Sequence, residues 1–105
     1  MQKVSAKRTN YNCKSKVFRW PGEAAWYFVA VETKASGEIK ENFGKHAKGF
    51  RSIPVAVTVG KTSWNTSLFP DKKSGQYLLP LKAQIRKQED IWPDDMLEFS
   101  IKIKM

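Results

Sequence analysis

The chain has 105 residues, 41% of them hydrophobic, and nineteen Lys and Arg against ten Asp and Glu give it a formal charge of +9. That length supports one core, and the apolar content is enough to build it. No stretch approaches the ~18 consecutive apolar residues of a membrane span, no charged-then-apolar leader is visible, and the single cysteine, Cys13, excludes an internal disulfide or a cysteine-built zinc site, so the reading expects a cytoplasmic chain with no membrane role.

Residues 1–10 are polar and basic and lack periodicity, which predicts a flexible N-terminal arm ahead of a β domain over 11–105. Before Glu23 there are six basic residues, Lys3, Lys7, Arg8, Lys14, Lys16 and Arg19, and no acidic one. Such a concentration makes nucleic acid or another polyanion a candidate partner. Tyr11 to Trp20 is strand-like, but Tyr11, Cys13 and Val17 fall on one parity and Phe18 and Trp20 on the other, which predicts a bulge or a strong twist. Pro21-Gly22 marks a turn, and the next run, Ala25 to Val31, closes a hairpin with the first strand. This run, AWYFVAV, is apolar on both parities, as in a strand covered on two sides or one wall of a closed barrel. Its Trp26, Tyr27 and Phe28 are core residues or, on the alternative reading, a stacking platform for bases or another flat ligand.

A short helix follows, with Ser36 as its cap, Ile39 and Phe43 four apart on one face, and Gly44 where a left-handed residue ends a helix. Lys45 to Arg51 is a basic, glycine-containing loop. The clearest pattern comes next. Ile53, Val55, Val57 and Val59 alternate with Pro54, Ala56 and Thr58, and Gly60-Lys61 supplies the positive φ of a two-residue II′ hairpin turn. Counting back from that turn pairs Val59 with Thr62, Val57 with Trp64, Val55 with Thr66 and Ile53 with Leu68 on an apolar face. Thr58 then meets Ser63, Ala56 meets Asn65 and Pro54 meets Ser67 on a polar one. Pro54 predicts either an edge strand or a position where no ladder bond is required. Pro70 to Gly75 reads as a turn and Gln76 to Leu79 as a short strand. Pro80 then enters a helix from Leu81 to about Gln88, with Leu81 and Ile85 inward. After a turn at Asp94-Asp95 comes a last strand with Leu97, Phe99, Ile101 and Ile103 in, and Glu98, Ser100, Lys102 and Lys104 out.

The predicted fold is therefore mainly β, a small barrel of about six strands with two short helices. Catalytic patterns are missing: the sequence has no Gly-rich phosphate loop, no paired histidines and no nucleophile elbow, and nothing in it places His46 beside Cys13. The adjacent carboxylates Glu89-Asp90 and Asp94-Asp95 read as exposed turn formers. The expectation is a noncatalytic module without a cofactor or metal. It takes an anionic or flat small ligand, or a protein partner, in a cleft of Arg51, Trp64, Thr66, Ser67 and Arg86 beside the central hairpin. The alternative is a nucleic-acid binder using Lys7, Arg8, Lys14, Lys16, Arg19 and Trp26.

Through Trp26-Tyr27-Phe28-Val29, Gly49-Phe50, Val55 to Gly60, Trp64, Thr66 to Pro70, Leu79-Pro80 and Ile85-Arg86, the chain resembles the bacterial and archaeal family called domain of unknown function 1905, roughly over Tyr11 to Ile103. The resemblance implies a double-split β-barrel and no established activity. Tyr77 to Ile103 is also similar in layout to the swapped-hairpin regulators of the AbrB type, which bind DNA as dimers. Those regulators typically have glycine before the aspartate that Asp95 matches. Here the position is Asp94, whose negative charge beside the turn counts against DNA binding.

Overall fold

A computed structural model describes residues 8–22 and 26–105. Most of the expected N-terminal arm, Lys7 included, and Ala25 of the expected second strand lie outside the described residues. Among the described residues there are six strands: β1 (Asn10–Arg19), β2 (Tyr27–Ala30), β3 (Ile53–Val59), β4 (Thr62–Pro70), β5 (Tyr77–Pro80) and β6 (Met96–Ile103). They close into one antiparallel barrel in the order β1-β2-β5-β4-β3-β6. Two helices, α1 (Thr33–Phe43) and α2 (Ala83–Gln88), complete the mainly β fold that the sequence predicts. No described helix is long and apolar enough to cross a membrane.

The two long strands make closure possible. β1 pairs with β6 over residues 10–16 and with β2 over 17–19. β4 pairs with β3 up to Leu68 and with β5 at Phe69 and Pro70. Beyond Lys16 the loop before β6 continues the edge of β1 that β6 pairs with: Asp94 N donates to Val17 O at 2.7 Å and Val17 N to Asp95 O at 2.8 Å. The β3–β4 register agrees with the counted one at all of its pairs, from Ile53 with Leu68 to Val59 with Thr62. Inward positions of β3 and β6 are buried, with Val57 and Ile53 fully so, and Tyr11, Cys13, Val17, Val29 and Leu79 join them in one interior. Each such aliphatic contributes about 1.5–3 kcal/mol on removal from water.

Four local expectations are corrected, and one that left two readings open is decided. β3 is not an edge, since it lies between β4 and β6; Pro54 O accepts from Lys104 N at 2.9 Å, and its missing N–H faces the point where β6 ends, which is the second of the two readings. β1 keeps one register along each partner and needs no bulge: Tyr11, Cys13 and Val17 point in while Phe18 and Trp20 point out. Ser36 is not a cap. The helix starts at Thr33, one turn earlier, and the buried Ser36 hydroxyl donates to Val31 O (2.9 Å) and accepts from Tyr77 N (3.0 Å), pinning α1 to β5. Gly44 has φ −58 because the chain runs on into a 3-10 turn, Gly44–His46, rather than stopping in a left-handed residue. Finally, Pro80 stays in β5 opposite Phe28, and Leu81 N donates to Tyr27 O at 2.8 Å, so the second helix begins only at Ala83.

The β3–β4 turn is itself fastened. Gly60 has φ +56, as a II′ turn requires, and the Glu89 carboxylate after α2 lies over it, accepting from the Thr62 hydroxyl at 2.5 Å. A Cβ on Gly60 would collide with Glu89 Oε1. Asp94, by contrast, adopts φ +73 with an exposed side chain, a conformation that glycine takes without steric penalty. Two substitutions should therefore have opposite signs in urea denaturation. Gly60→Ala lowers the unfolding free energy by about 1–2 kcal/mol, and Asp94→Gly raises it by up to about 1 kcal/mol. Equal effects of both would contradict the two turn geometries.

Candidate functional site

Because the strands alternate, the residues left outside the barrel can be read from the registers. Phe18 pairs with Phe28, and Phe28 with Pro80; Ala30 pairs with Leu78, and Leu78 with Phe69; Trp20 N donates to Trp26 O at 2.8 Å. Neighbours across a ladder share a face, so these residues form one apolar outer wall over β1, β2, β5 and the end of β4. Its rings touch one another: Trp26 stacks on Phe28 with centroids 6.1 Å apart, Trp20 meets Phe28 edge-on at 5.7 Å, and Phe18 lies 6.0 Å from Phe28. Leu78 is 7% exposed although it is outside the interior cluster, being covered by this outer layer. Trp26 remains 57% exposed, Trp20 44% and Phe69 37%. Together with Pro21 and Gly22 they line an open cavity of about 550 Å³.

Trp26 also borders a second cleft of about 290 Å³, formed with Tyr27, Pro80, Lys82 and Arg86. Here the Arg86 guanidinium lies 3.8 Å from the Tyr27 ring centroid, and its Nε donates to Leu81 O at 3.0 Å. These two contacts hold the planar fork in place. Its remaining N–H groups have no partner among the described residues. An aromatic tray and a fixed cation thus meet at one tryptophan. Such an arrangement can seat a flat ring and accept an acid beside it.

The five residues proposed from sequence as one cleft are spread over several places. Trp64 and Thr66 face inward, opposite Val57 and Val55, and Trp64 packs against the interior. Ser67 faces outward, opposite Pro54. Arg51 borders a separate cavity, and Arg86 the cleft under Trp26; the three β4 residues line neither. Thr66 and Ser67 are consecutive in a strand and so point to opposite faces, a signal that was present in the sequence. In the nucleic-acid set, Arg8 lies 4.6 Å over the Tyr11 ring and 3.8 Å from Glu38, and Lys14 lies 3.8 Å from Glu98. Lys16 is exposed opposite Met96, and Arg19 is exposed opposite Tyr27. Trp26 is exposed on the outer wall rather than in the core; Phe28 lies half-buried beside it, and Tyr27 packs under Arg86.

A family model described as a domain of unknown function (DUF1905) matches residues 14–101. The chain belongs to that family. No curated protein matches it. The match to DUF1905 spans all of the outer wall and the three cavities described above, and its description carries no activity to assign to them.

In this DUF1905 chain the buried ionisable groups belong to the barrel rather than to the wall. Burial pushes the Cys13 thiol above its ordinary 9.0 and the Tyr77 phenol above its ordinary 10.0. The Tyr11 phenol rises as well, first through burial and then through the Glu38 carboxylate beside it. Each group is neutral when protonated and harder to ionise in the folded chain than in the unfolded one. Their stabilisation is therefore complete below the unfolded values and is lost as pH rises through the folded ones. Unfolding free energy should fall as pH climbs past about 9, and Tyr77→Phe should make that fall shallower. Urea titrations across the alkaline range check this, and a flat profile would contradict the burial of these groups.

Proposed function

We propose that this protein is a noncatalytic binding module of the cytoplasm that holds a flat ligand bearing an acidic group on its outer aromatic wall. The supporting observation is the meeting of two features at Trp26: a cavity of about 550 Å³ walled by Trp20, Phe28 and Phe69, and the Arg86 fork fixed over Tyr27. Small-molecule sites are concave and mostly apolar, with few polar groups that set orientation, and this volume is in their usual range. The ring of the ligand stacks on the indoles and its acid takes the free edge of Arg86.

A second reading follows from β1. Lys14 and Lys16 share its outward face with Phe18 and Trp20, so a basic track leads toward the rings, as in proteins that stack single-stranded nucleic acid. It ranks below the first because Lys14 already faces Glu98 at 3.8 Å.

Titration with 2-naphthoate, followed by tryptophan fluorescence, tests the proposal. Saturable binding is expected, weakened about tenfold or more by Trp26→Ala. Arg86→Ala should weaken 2-naphthoate and leave the uncharged 2-naphthylmethanol unchanged. Naphthoate binding that is absent, or indifferent to both substitutions, overturns the assignment. Oligothymidylate binding that falls steeply with salt and is lost in Lys16→Ala would establish the second reading instead.

A further inference from the structure

A separate concavity of about 480 Å³ opens between the end of α1 and the β4–β5 turn. Its lining includes Lys40, Lys45, Arg51 and Lys72, with Asp71 as the single acid and Tyr77 among the walls. It shares no lining residue with the aromatic cavity. Asp71 is engaged in its own turn, where Oδ2 accepts from the Ser74 hydroxyl at 2.8 Å. None of the four cations has an ion-pair partner among the described residues. Cations that line one concavity without counter-charges raise its positive potential, and such a potential attracts anions.

The backbone gives an independent indication. Phe50 and Arg51 are consecutive non-glycine residues at φ 58, in the left-handed region that costs such residues of order 1 kcal/mol each. Phe50 is 92% exposed, so no packing of its side chain offsets that cost. The strained pair ends at Ser52, whose N–H donates to Gly49 O at 3.1 Å, and it leaves Arg51 at the lip of the cavity. Strain of this kind in a surface loop commonly accompanies a ligand site.

We infer that this cavity binds a ligand with several clustered negative charges, of the polyphosphate class, with Lys40, Lys45, Arg51 and Lys72 as its counter-charges. The three lysines act as point charges and Arg51 as the directional fork. The site stands independently of the aromatic wall.

Calorimetric titration with inorganic tripolyphosphate at about physiological salt tests it. One saturable site is expected, weakened at least about fivefold by Arg51→Ala and by Lys40→Ala, both exposed positions whose removal leaves the core intact. Lys102→Ala, which removes an equal charge from the outward face of β6, should leave the affinity within about twofold. Naphthoate binding should be unchanged in Arg51→Ala, so failure of one site is distinguishable from failure of the other. Tripolyphosphate that does not saturate, or that weakens equally in Lys102→Ala, would show only the attraction of a basic surface and overturn the inference.

Discussion

Closure of the sheet governs the rest of this molecule. β2 and β5 have four residues each, too few to stand as a sheet alone, and an open edge on either would leave a row of unpaired backbone groups. Closure requires β1 and β4 to serve two neighbours each, and it fixes which side of every strand is interior. The helices are then tied to the ring by a few polar contacts: Ser36 to Val31 and Tyr77 and Glu38 to Tyr11 for α1, Arg86 over Tyr27 for α2, and Glu89 to Thr62 just beyond it. A shift of one residue in either long strand would turn its inward set to solvent, so the contacts around the ring stabilise one register together.

Once the interior is assigned, the outer faces can be compared, and they differ. Across β1, β6, β3 and β4, one row runs Asn12, Ser100, Thr58, Ser63, with Thr58 and Ser63 hydroxyls 2.8 Å apart. Water solvates such a row at little cost. On the other half of the barrel the row is Phe18, Phe28, Pro80, followed by Trp20 and Trp26. The barrel needs neither kind of residue outside in order to close. A contiguous exposed aromatic patch lowers solubility without filling the core, and this is the feature on which the proposed binding role rests.

The parts of this fold that were legible in the sequence are those set by local rules. Gly60 fixes a turn, a two-residue turn fixes a register, and seven β3–β4 pairs follow by counting. The alternation of Leu97, Phe99, Ile101 and Ile103 gave the inward face of β6 for the same reason. What could not be read depended on distant partners. A strand apolar on both parities, such as the one holding Trp26 and Phe28, does not say which of its faces the rest of the chain covers. Ser36 looks like a cap until β5 supplies the Tyr77 amide that occupies it. The change of parity at Phe18 resembled a bulge because the outward face of a barrel is ordinarily polar, whereas here it is aromatic. The proposed cleft dispersed because Arg51 and Arg86 were joined by chemistry alone; the topology sends one to the α1 side of the β4–β5 turn and the other beneath Trp26.

The surplus of positive charge gains meaning only from where it lies. With the interior apolar, a net +9 has to be carried on the outside, and spreading it evenly would minimise self-repulsion. Part of it is balanced in place, as at Arg8 with Glu38 and Lys14 with Glu98. These solvent-accessible pairs contribute little to stability but offset part of the local field. At the cavity beside Tyr77 the reverse holds, since four cations converge with only Asp71 among them and the loop delivering Arg51 is held in a strained conformation. Neither solubility nor folding requires that placement. The aromatic wall has a single fixed guanidinium at its margin, while this cavity is lined by four cations. On the two proposals made above, selection would rest on different physics, ring stacking in one place and charge density in the other, and a ligand suited to one would have little reason to enter the other.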